Sequence, residues 1–247
     1  MSKSIYFASD FHLGLDKNGA SSEREKRIVS WLDSIIDDTQ ALYLLGDLFD
    51  YWFEYKKVVP KGFVRLLAKL IQFTDREIPV HIFTGNHDMW MFDYLEKEVG
   101  AQIYRGPIER QLQGKTFVLG HGDGLGPGDH GYKFIKRIFA SKINQWLFAR
   151  LHPNLGIALM QKFSHKSREA ESASPPFTDP EKEWLVQYCE TELSNRAVDI
   201  FIFGHRHLPI DYKLSNGSSR YINCGDWIDH NSYAVLRNGI LELKTFE

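Results

Sequence analysis

Cysteine is scarce in this 247-residue chain, with Cys189 and Cys224 its only two. A pair so far apart supplies no disulfide framework, so a hydrophobic core must hold the fold, and a reduced, cytoplasmic setting is expected. An excess of either charge is also missing: 30 Lys and Arg stand against 32 Asp and Glu, a net charge of -2. That balance excludes a general electrostatic attraction to nucleic acid, and none is expected as a partner. No apolar run approaches the ~18 residues of a spanning helix. The first run, Ile5 to Ala8, is too short for a secretory leader and ends near Asp10. The expectation is therefore a protein that is soluble or peripheral to a membrane. Repeats and low-complexity tracts are absent as well. What is present is ordinary globular material, 43% hydrophobic and 25% charged, enough for a sizeable core. The length suits one domain, 1–247, carrying an insertion.

Strand and helix signals alternate in the first third. Ile5–Ala8, Ala41–Leu45 and Val80–Thr84 read as short buried strands. Helices are expected over Glu23–Ile36 and Gly62–Phe73, where apolar residues recur at helical spacing. This alternation predicts an α/β fold whose functional loops follow the carboxyl ends of the strands. Ile108–Leu112 and Thr116–Leu119 flank Gln113-Gly114 as a hairpin. Residues 122–176 break the pattern with a Gly-rich loop and helix-period apolar positions. Thr178, Pro180 and Glu181 then signal a helix start, with the helix running to Leu193. Ile200–Phe203 is another buried strand. The tail reads as strands, with Asn216-Gly217 and Asn238-Gly239 expected as two-residue hairpin turns.

The chemistry is concentrated in five polar clusters, each placed after an expected strand: Asp10-Phe-His12, Gly46-Asp47-Leu-Phe-Asp50, Gly85-Asn86-His87-Asp88, Gly120-His121-Gly-Asp123 and Gly204-His205-Arg-His207. One such pair alone is ordinary turn chemistry; five in series are not. Glycine permits tight turns and close backbone approach. Asp10 and His12, and likewise His205 and His207, would point to one side if the backbone there is extended. Nitrogen and oxygen ligands without thiolate suit Mn²⁺, Fe or Zn²⁺ rather than Ca²⁺. So many groups exceed the needs of one tetrahedral ion and fit two ions about 3.5–4 Å apart.

The ordered set Asp-x-His, Gly-Asp, Gly-Asn-His-Asp, Gly-His and Gly-His-x-His resembles the calcineurin-like metallophosphoesterase superfamily, over most of the chain. The resemblance implies a four-layer αββα sandwich, with two mixed sheets packed together and helices outside. It also implies two divalent ions, most often Mn²⁺, that activate water for hydrolysis of a phosphoester. Asp10, His12, Asp47 and His207 would hold one ion; Asp47, Asn86, His121 and His205 would hold the other. His87 would contact the substrate phosphate or protonate the leaving group, and Asp88 would orient it from behind. Asp50 lies outside that set and reads as a supporting acid.

The insertion narrows the substrate. Phe134, Ile135, Ile138, Phe139, Ile143, Trp146 and Leu147 exceed the stripe that one helix needs, and Lys133, Lys136, Arg137, Lys142 and Arg150 edge them. Such a helix suits an anionic amphiphile or lipid surface, although it also suits a helix packed on the core. The region resembles the UDP-2,3-diacylglucosamine diphosphatases of lipid A synthesis, whose helical cap receives acyl chains. That likeness implies a lipid-linked UDP-sugar substrate, a peripheral place at the inner membrane, and sugar-phosphate contacts from Asp129, Tyr132, Arg168 and Lys166, beside Asn86, His87 and His205. The chain departs from the proteobacterial members at His87, where they carry Arg. A superfamily relative acting on a soluble phosphomonoester, nucleotide or phosphoprotein is the alternative.

Overall fold

The computed structural model describes residues 3–15, 20–128, 130–171 and 176–247, with the side chains of 165–171 outside that description. Asp129, Lys166 and Arg168, expected to touch substrate, therefore lie outside the described residues. The strands are β1 (Ser4–Ala8), β2 (Thr39–Leu44), β3 (Val80–Phe83), β4 (Gln102–Tyr104), β5 (Ile108–Leu112) and β6 (Lys115–Leu119). They continue as β7 (Ile200–Phe203), β8 (Pro209–Lys213), β9 (Arg220–Cys224), β10 (Ser232–Arg237) and β11 (Ile240–Thr245). The helices are α1 (Ala20–Ile35), α2 (Val64–Asp75), α3 (His130–Ala140), α4 (Lys142–Phe148), α5 (Pro153–Glu171) and α6 (Trp184–Leu193).

Two sheets form, of order β11-β10-β1-β2-β3-β4 and β5-β6-β7-β9-β8. Their facing sides share an apolar layer that includes Phe7, Tyr43, Phe83, Phe117, Ile202 and Ile222. β1, β2, β3 and β7 read as near-continuous apolar runs because sheet and helix each cover one of their faces. On the outer face of the first sheet, Trp31, Leu32, Leu66 and Phe73 of α1 and α2 pack against Leu42, Leu44 and Ile82. On the outer face of the second, Leu185, Val186 and Cys189 of α6 pack against Val118, Phe201 and Tyr221. The result is the layered helix–sheet–sheet–helix arrangement expected. Both cysteines are buried and free. Among the described residues no helix is long and apolar enough to cross a membrane.

Two local expectations change. The helix expected from Thr178 is a single 3₁₀ turn, Pro180–Lys182, followed by α6. Thr178 bonds the Pro176 carbonyl instead of capping a helix, and Glu183 at the true start spends its carboxylate on Arg206 at 2.9 Å. Asn216-Gly217 sits inside the longer β8–β9 connection, where the Asn216 side chain accepts from the Ser218 and Ser219 amides. Asn238-Gly239 is the two-residue turn expected: both have positive φ, 52° and 75°, and Arg237 pairs with Ile240. The short β4 and the π-helical turn Leu95–Val99 had no sequence signal of useful length.

Helices α3, α4 and α5 lie between β6 and β7 in sequence and dock on the loops after β2 and β3. Buried Tyr51, Phe53 and Trp90 receive Phe139, Phe148, Ile157 and Met160 from them. Trp90 also donates its indole N–H to the Phe139 carbonyl at 2.8 Å. This aromatic seat holds the insertion beside the polar strand ends.

Candidate active site

β1, β2 and β3 are parallel neighbours in one sheet, and β6, β7 and β9 are parallel neighbours in the other. Their carboxyl ends therefore fall along one edge of each sheet, and the loops they feed converge. The five clusters of the sequence meet there, joined by Asp226 after β9.

The loops are tightly wound. Asp10 (φ 57°), His12 (44°), Asp47 (53°), His205 (69°) and His207 (54°) all adopt the left-handed region, which costs a non-glycine residue free energy. The extended geometry expected for Asp10–His12 and His205–His207 is thus replaced by left-handed turns that gather the same side chains. Backbone bonds brace the turns: Asp10 N–H donates to the Gly46 carbonyl at 3.0 Å and His12 N–H to the Asp47 carbonyl at 2.9 Å. The glycines serve close approach. A Cβ on Gly85 would lie 2.1 Å from Asp47 Oδ1, one on Gly204 2.5 Å from Asp10 Oδ2, and one on Gly46 2.6 Å from His121 Nδ1.

Each central carboxylate has one oxygen fixed by the backbone and one left over. Asp47 Oδ1 accepts from the His87 amide at 2.9 Å, and Asp10 Oδ2 from the His205 amide at 3.0 Å. Asp47 Oδ2 and Asp10 Oδ1 are buried with no hydrogen-bond donor among the described residues. They face imidazole nitrogens instead. Asp10 Oδ1 is 3.3 Å from His207 Nε2 and 3.7 Å from His12 Nε2; Asp47 Oδ2 is 3.3 Å from His121 Nε2 and 3.8 Å from His12 Nε2. Two buried oxygens without donors, converging with imidazoles, are what divalent cations would satisfy. The candidate donor groups are Asp10–His12–His207, His12–Asp47–His87 and Asp47–His121–His205, with donor atoms in each within 4.8 Å of one another. Asn86 Oδ1 lies 3.1 Å from His121 Nε2, at the last of these groups.

Neighbours fix the imidazole tautomers. His121 Nδ1 is 2.8 Å from the Leu45 carbonyl oxygen, which only accepts, so Nδ1 carries the proton of the neutral ring and Nε2 would be the nitrogen that offers a lone pair to a cation. His207 Nδ1 lies 3.4 Å from Asp226 Oδ2, a carboxylate held in turn by the Asp229 and His230 amides at 3.0 Å. Asp226 was not read from the sequence. It stands where the carboxylate of a carboxylate–histidine–metal arrangement would, and there it would raise the basicity of His207 toward a cation. Burial alone would raise the Asp226 carboxyl, but the His207 contact and the backbone donors hold it down at about 2. Burial works the same way on Asp47, where His121 and His87 prevail and hold it well below the usual carboxylate range. The His121 imidazole is correspondingly pulled up, burial opposing and Asp47 prevailing.

His87 and Asp50 sit beside this centre. His87 Nδ1 lies 2.9 Å from Ser164 Oγ of α5 and 3.2 Å from the Asp50 carbonyl oxygen. The Asp50 carboxylate is 3.7 Å from His12 Nδ1, a supporting position. Asp88 does not orient His87 as the resemblance implied. Its carboxylate accepts from the Gly85 amide at 2.8 Å, the Leu48 amide at 2.8 Å and the Phe49 amide at 3.4 Å. It thereby ties the loop carrying Asn86 and His87 to the loop carrying Asp47. Burial first, then the charge of Asp47, push its carboxyl up to about 7.

A cavity of about 440 Å³ opens from Asn86 and His87 toward the insertion. Its wall is apolar, with Ile135, Ile138, Phe139, Met160 and Phe163 prominent, and Tyr132 and Ser164 lie among them. Phe139 lines this cavity. Ile143 is 71% exposed and is not among the lining residues. The Tyr132 hydroxyl donates to Asp123 Oδ2 at 2.5 Å, and Lys136 Nζ pairs with the same oxygen at 2.6 Å.

Comparison with known proteins places these features in context. A family model described as calcineurin-like phosphoesterase matches residues 3–209. The chain is similar to UDP-2,3-diacylglucosamine hydrolase of Porphyromonas gingivalis, at 38% identity over 100% of this chain and 99% of the relative. It is similar to the hydrolase of the same name from Aeromonas hydrophila, at 28% identity over 98% of each chain. A solved structure described as a novel archaeal phosphodiesterase aligns with a TM-score of 0.50 at 12% identity, over 98% of this chain and 99% of that one.

Proposed function

This chain belongs to the calcineurin-like phosphoesterase family and is a metal-dependent hydrolase, and from that premise we propose that it cleaves the diphosphate of UDP-2,3-diacylglucosamine to UMP and 2,3-diacylglucosamine 1-phosphate. The observation that carries the substrate is the apolar cavity running directly from Asn86 and His87 into the insertion. A soluble phosphate ester gives no reason for such a wall beside a polar centre, whereas an acylated sugar does. The full-length likeness to hydrolases of that name supports the same reading.

When bound, the two cations, most naturally Mn²⁺, would neutralise diphosphate charge and lower the pKa of water far below its bulk value. Asp10, His12 and His207 would hold one, and Asn86, His121 and His205 the other, with Asp47 between them. The chain's own residues do the rest. Asp226 and the Leu45 carbonyl keep His207 and His121 turned inward. Asp88 keeps the loops of Asp47 and His87 in register. His87 contacts the phosphate and delivers a proton to the departing group. Tyr132 and the cap residues Asp129, Lys166 and Arg168 address the sugar phosphate. The helices 130–171 act as a cap on one catalytic domain, with acyl chains along its inner wall. Its outer side carries exposed Phe134, Ile143, Trp146 and Leu147, with Arg150 over the Trp146 ring at 4.4 Å. That apolar and basic surface supports a peripheral position on the cytoplasmic face of the inner membrane.

Parallel turnover of UDP-2,3-diacylglucosamine and of UDP-N-acetylglucosamine, which lacks both long chains, tests this. Each buried methylene is worth about 0.8 kcal/mol, so kcat/KM should favour the diacyl compound by orders of magnitude. Ile138→Asp in the cavity wall should lower that value about 10-fold or more and spare bis(p-nitrophenyl) phosphate. Faster turnover of a soluble nucleotide than of the lipid would contradict the assignment.

A further inference from the structure

His87 is set by a side chain that the insertion supplies. Ser164 is on α5, which packs against the core through Ile157 and Met160. It is nearly buried, and its hydroxyl reaches the His87 ring at 2.9 Å, across 77 residues of sequence. The same nitrogen, Nδ1, is 3.2 Å from the Asp50 carbonyl oxygen. A carbonyl has no proton to give, so the proton of a neutral His87 is on Nδ1 and is shared between Asp50 and Ser164. Nε2 is thereby the nitrogen left for work outside this pair. Ser164 follows Phe163, and both line the cavity with Met160. A hydroxyl in such a wall must be satisfied, and His87 satisfies it.

We propose that Ser164 is a positioning residue for His87, so that seating the cap helix and fixing the tautomer and ring plane of His87 are one event. The proposal rests on the role given to His87 above. An imidazole has two nearly equivalent ring orientations about its terminal torsion. The Asp50 carbonyl and the Ser164 hydroxyl both favour the one that points Nδ1 at them. Were α5 to leave its seat, His87 Nδ1 would lose the Ser164 hydroxyl and keep the Asp50 carbonyl. The cap then does more than receive acyl chains: it completes the reacting centre once it is docked.

The test is a double-mutant cycle on the full-length, metal-loaded protein, read on UDP-2,3-diacylglucosamine and on bis(p-nitrophenyl) phosphate. Ser164→Ala should lower kcat about 3- to 10-fold, the worth of one hydrogen bond, on both substrates with KM changed less than about twofold. Ser164→Thr, which keeps the hydroxyl, should restore most of the loss. In a His87→Ala background, Ser164→Ala should cost nothing further. A rise in KM confined to the acylated substrate would overturn the proposal, because Ser164 would then touch substrate rather than His87. An equal loss in both backgrounds would overturn it in favour of a purely structural role. If His87→Ala is itself silent on both substrates, the role of His87 fails and the proposal fails with it, a result distinct from a silent Ser164→Ala beside a damaging His87→Ala.

Discussion

Replacing Gly85 by alanine puts a single methyl group against the middle of the centre. The new Cβ would lie 2.1 Å from Asp47 Oδ1, 2.6 Å from its Cγ and 2.7 Å from its backbone nitrogen. Ordinary non-bonded contact between carbon atoms is near 3.5–4.0 Å, so the carboxylate or its loop must retreat by about 1 Å or more. The retreat cannot be confined to the side chain, because one contact is with backbone. Asp47 Oδ1 also loses its fit to the His87 amide, now at 2.9 Å. A misplacement of about 1 Å costs on the order of 10²-fold in rate. Overpacking adds about 1–3 kcal/mol of instability, which leaves a protein of this size folded. Gly106→Ala is the control, since nothing lies within 4 Å of its Cβ and its φ is unremarkable for an L residue. The assay is metal content after dialysis, with kcat/KM on a chromogenic phosphodiester and a thermal melt to show folding. Gly85→Ala should lose bound metal and about 10²-fold or more in kcat/KM, and Gly106→Ala should match the unaltered protein. A Gly85→Ala protein that keeps its metal and its turnover would refute the argument that Asp47 is positioned by this contact.

Two further outcomes follow from the surroundings of the ligands. Asp226→Asn removes the charge behind His207 and should weaken one cation about 10- to 100-fold while leaving the other tightly held, which a metal titration would resolve; equal affinity at both sites would contradict it. In the metal-free protein the charge of Asp47 pulls the His121 imidazole well up against burial, which favours its protonated form, and burial with the Asp47 charge pushes Asp88 up to about 7, so it is protonated below that pH. Cation binding needs His121 neutral and favours Asp88 ionised, so protons should leave on loading and affinity should rise with pH through about 7. Calorimetry at pH 6.5 in buffers of different ionisation enthalpy would show the release, and equal heats in all buffers would count against it.

Much of this was legible in the sequence because the chemistry sits where strands end. Five glycine-linked clusters, spread from Asp10 to His207, could be placed on one edge once the strands were read as parallel α/β units. Their local geometry was not legible: an Asp-x-His pair suggests extended backbone, yet Asp10 and His12 are gathered by left-handed turns. That conformation is set by the bonds to Gly46 and Asp47 of the neighbouring loop, which no local pattern reports. Asp226 escaped notice because a Gly-Asp after a late strand looks like any turn; only its distance to His207 reveals its part. Asp88 was legible as important but not in its role, since its partners are backbone amides and amides leave no mark in a sequence. Ser164 stands just before Lys166 and Arg168, whose charge drew the attention, and its contact with His87 spans two elements that only the folded insertion brings together. The sequence signals for α3 and its apolar excess were sound for Phe139. Ile143, counted in the same apolar excess, is exposed on α4, because a helix pattern cannot say which stripe meets the core and which meets solvent.

The central claim, hydrolysis of a lipid-linked diphosphate at a two-metal centre, is tested most directly by titrating Mn²⁺ into the chelator-treated protein while UDP-2,3-diacylglucosamine is turned over. UMP and 2,3-diacylglucosamine 1-phosphate should appear in equal amounts, with the rate saturating as the second cation binds each chain. Turnover without metal, saturation at a single cation per chain, or release of any other pair of products would contradict it.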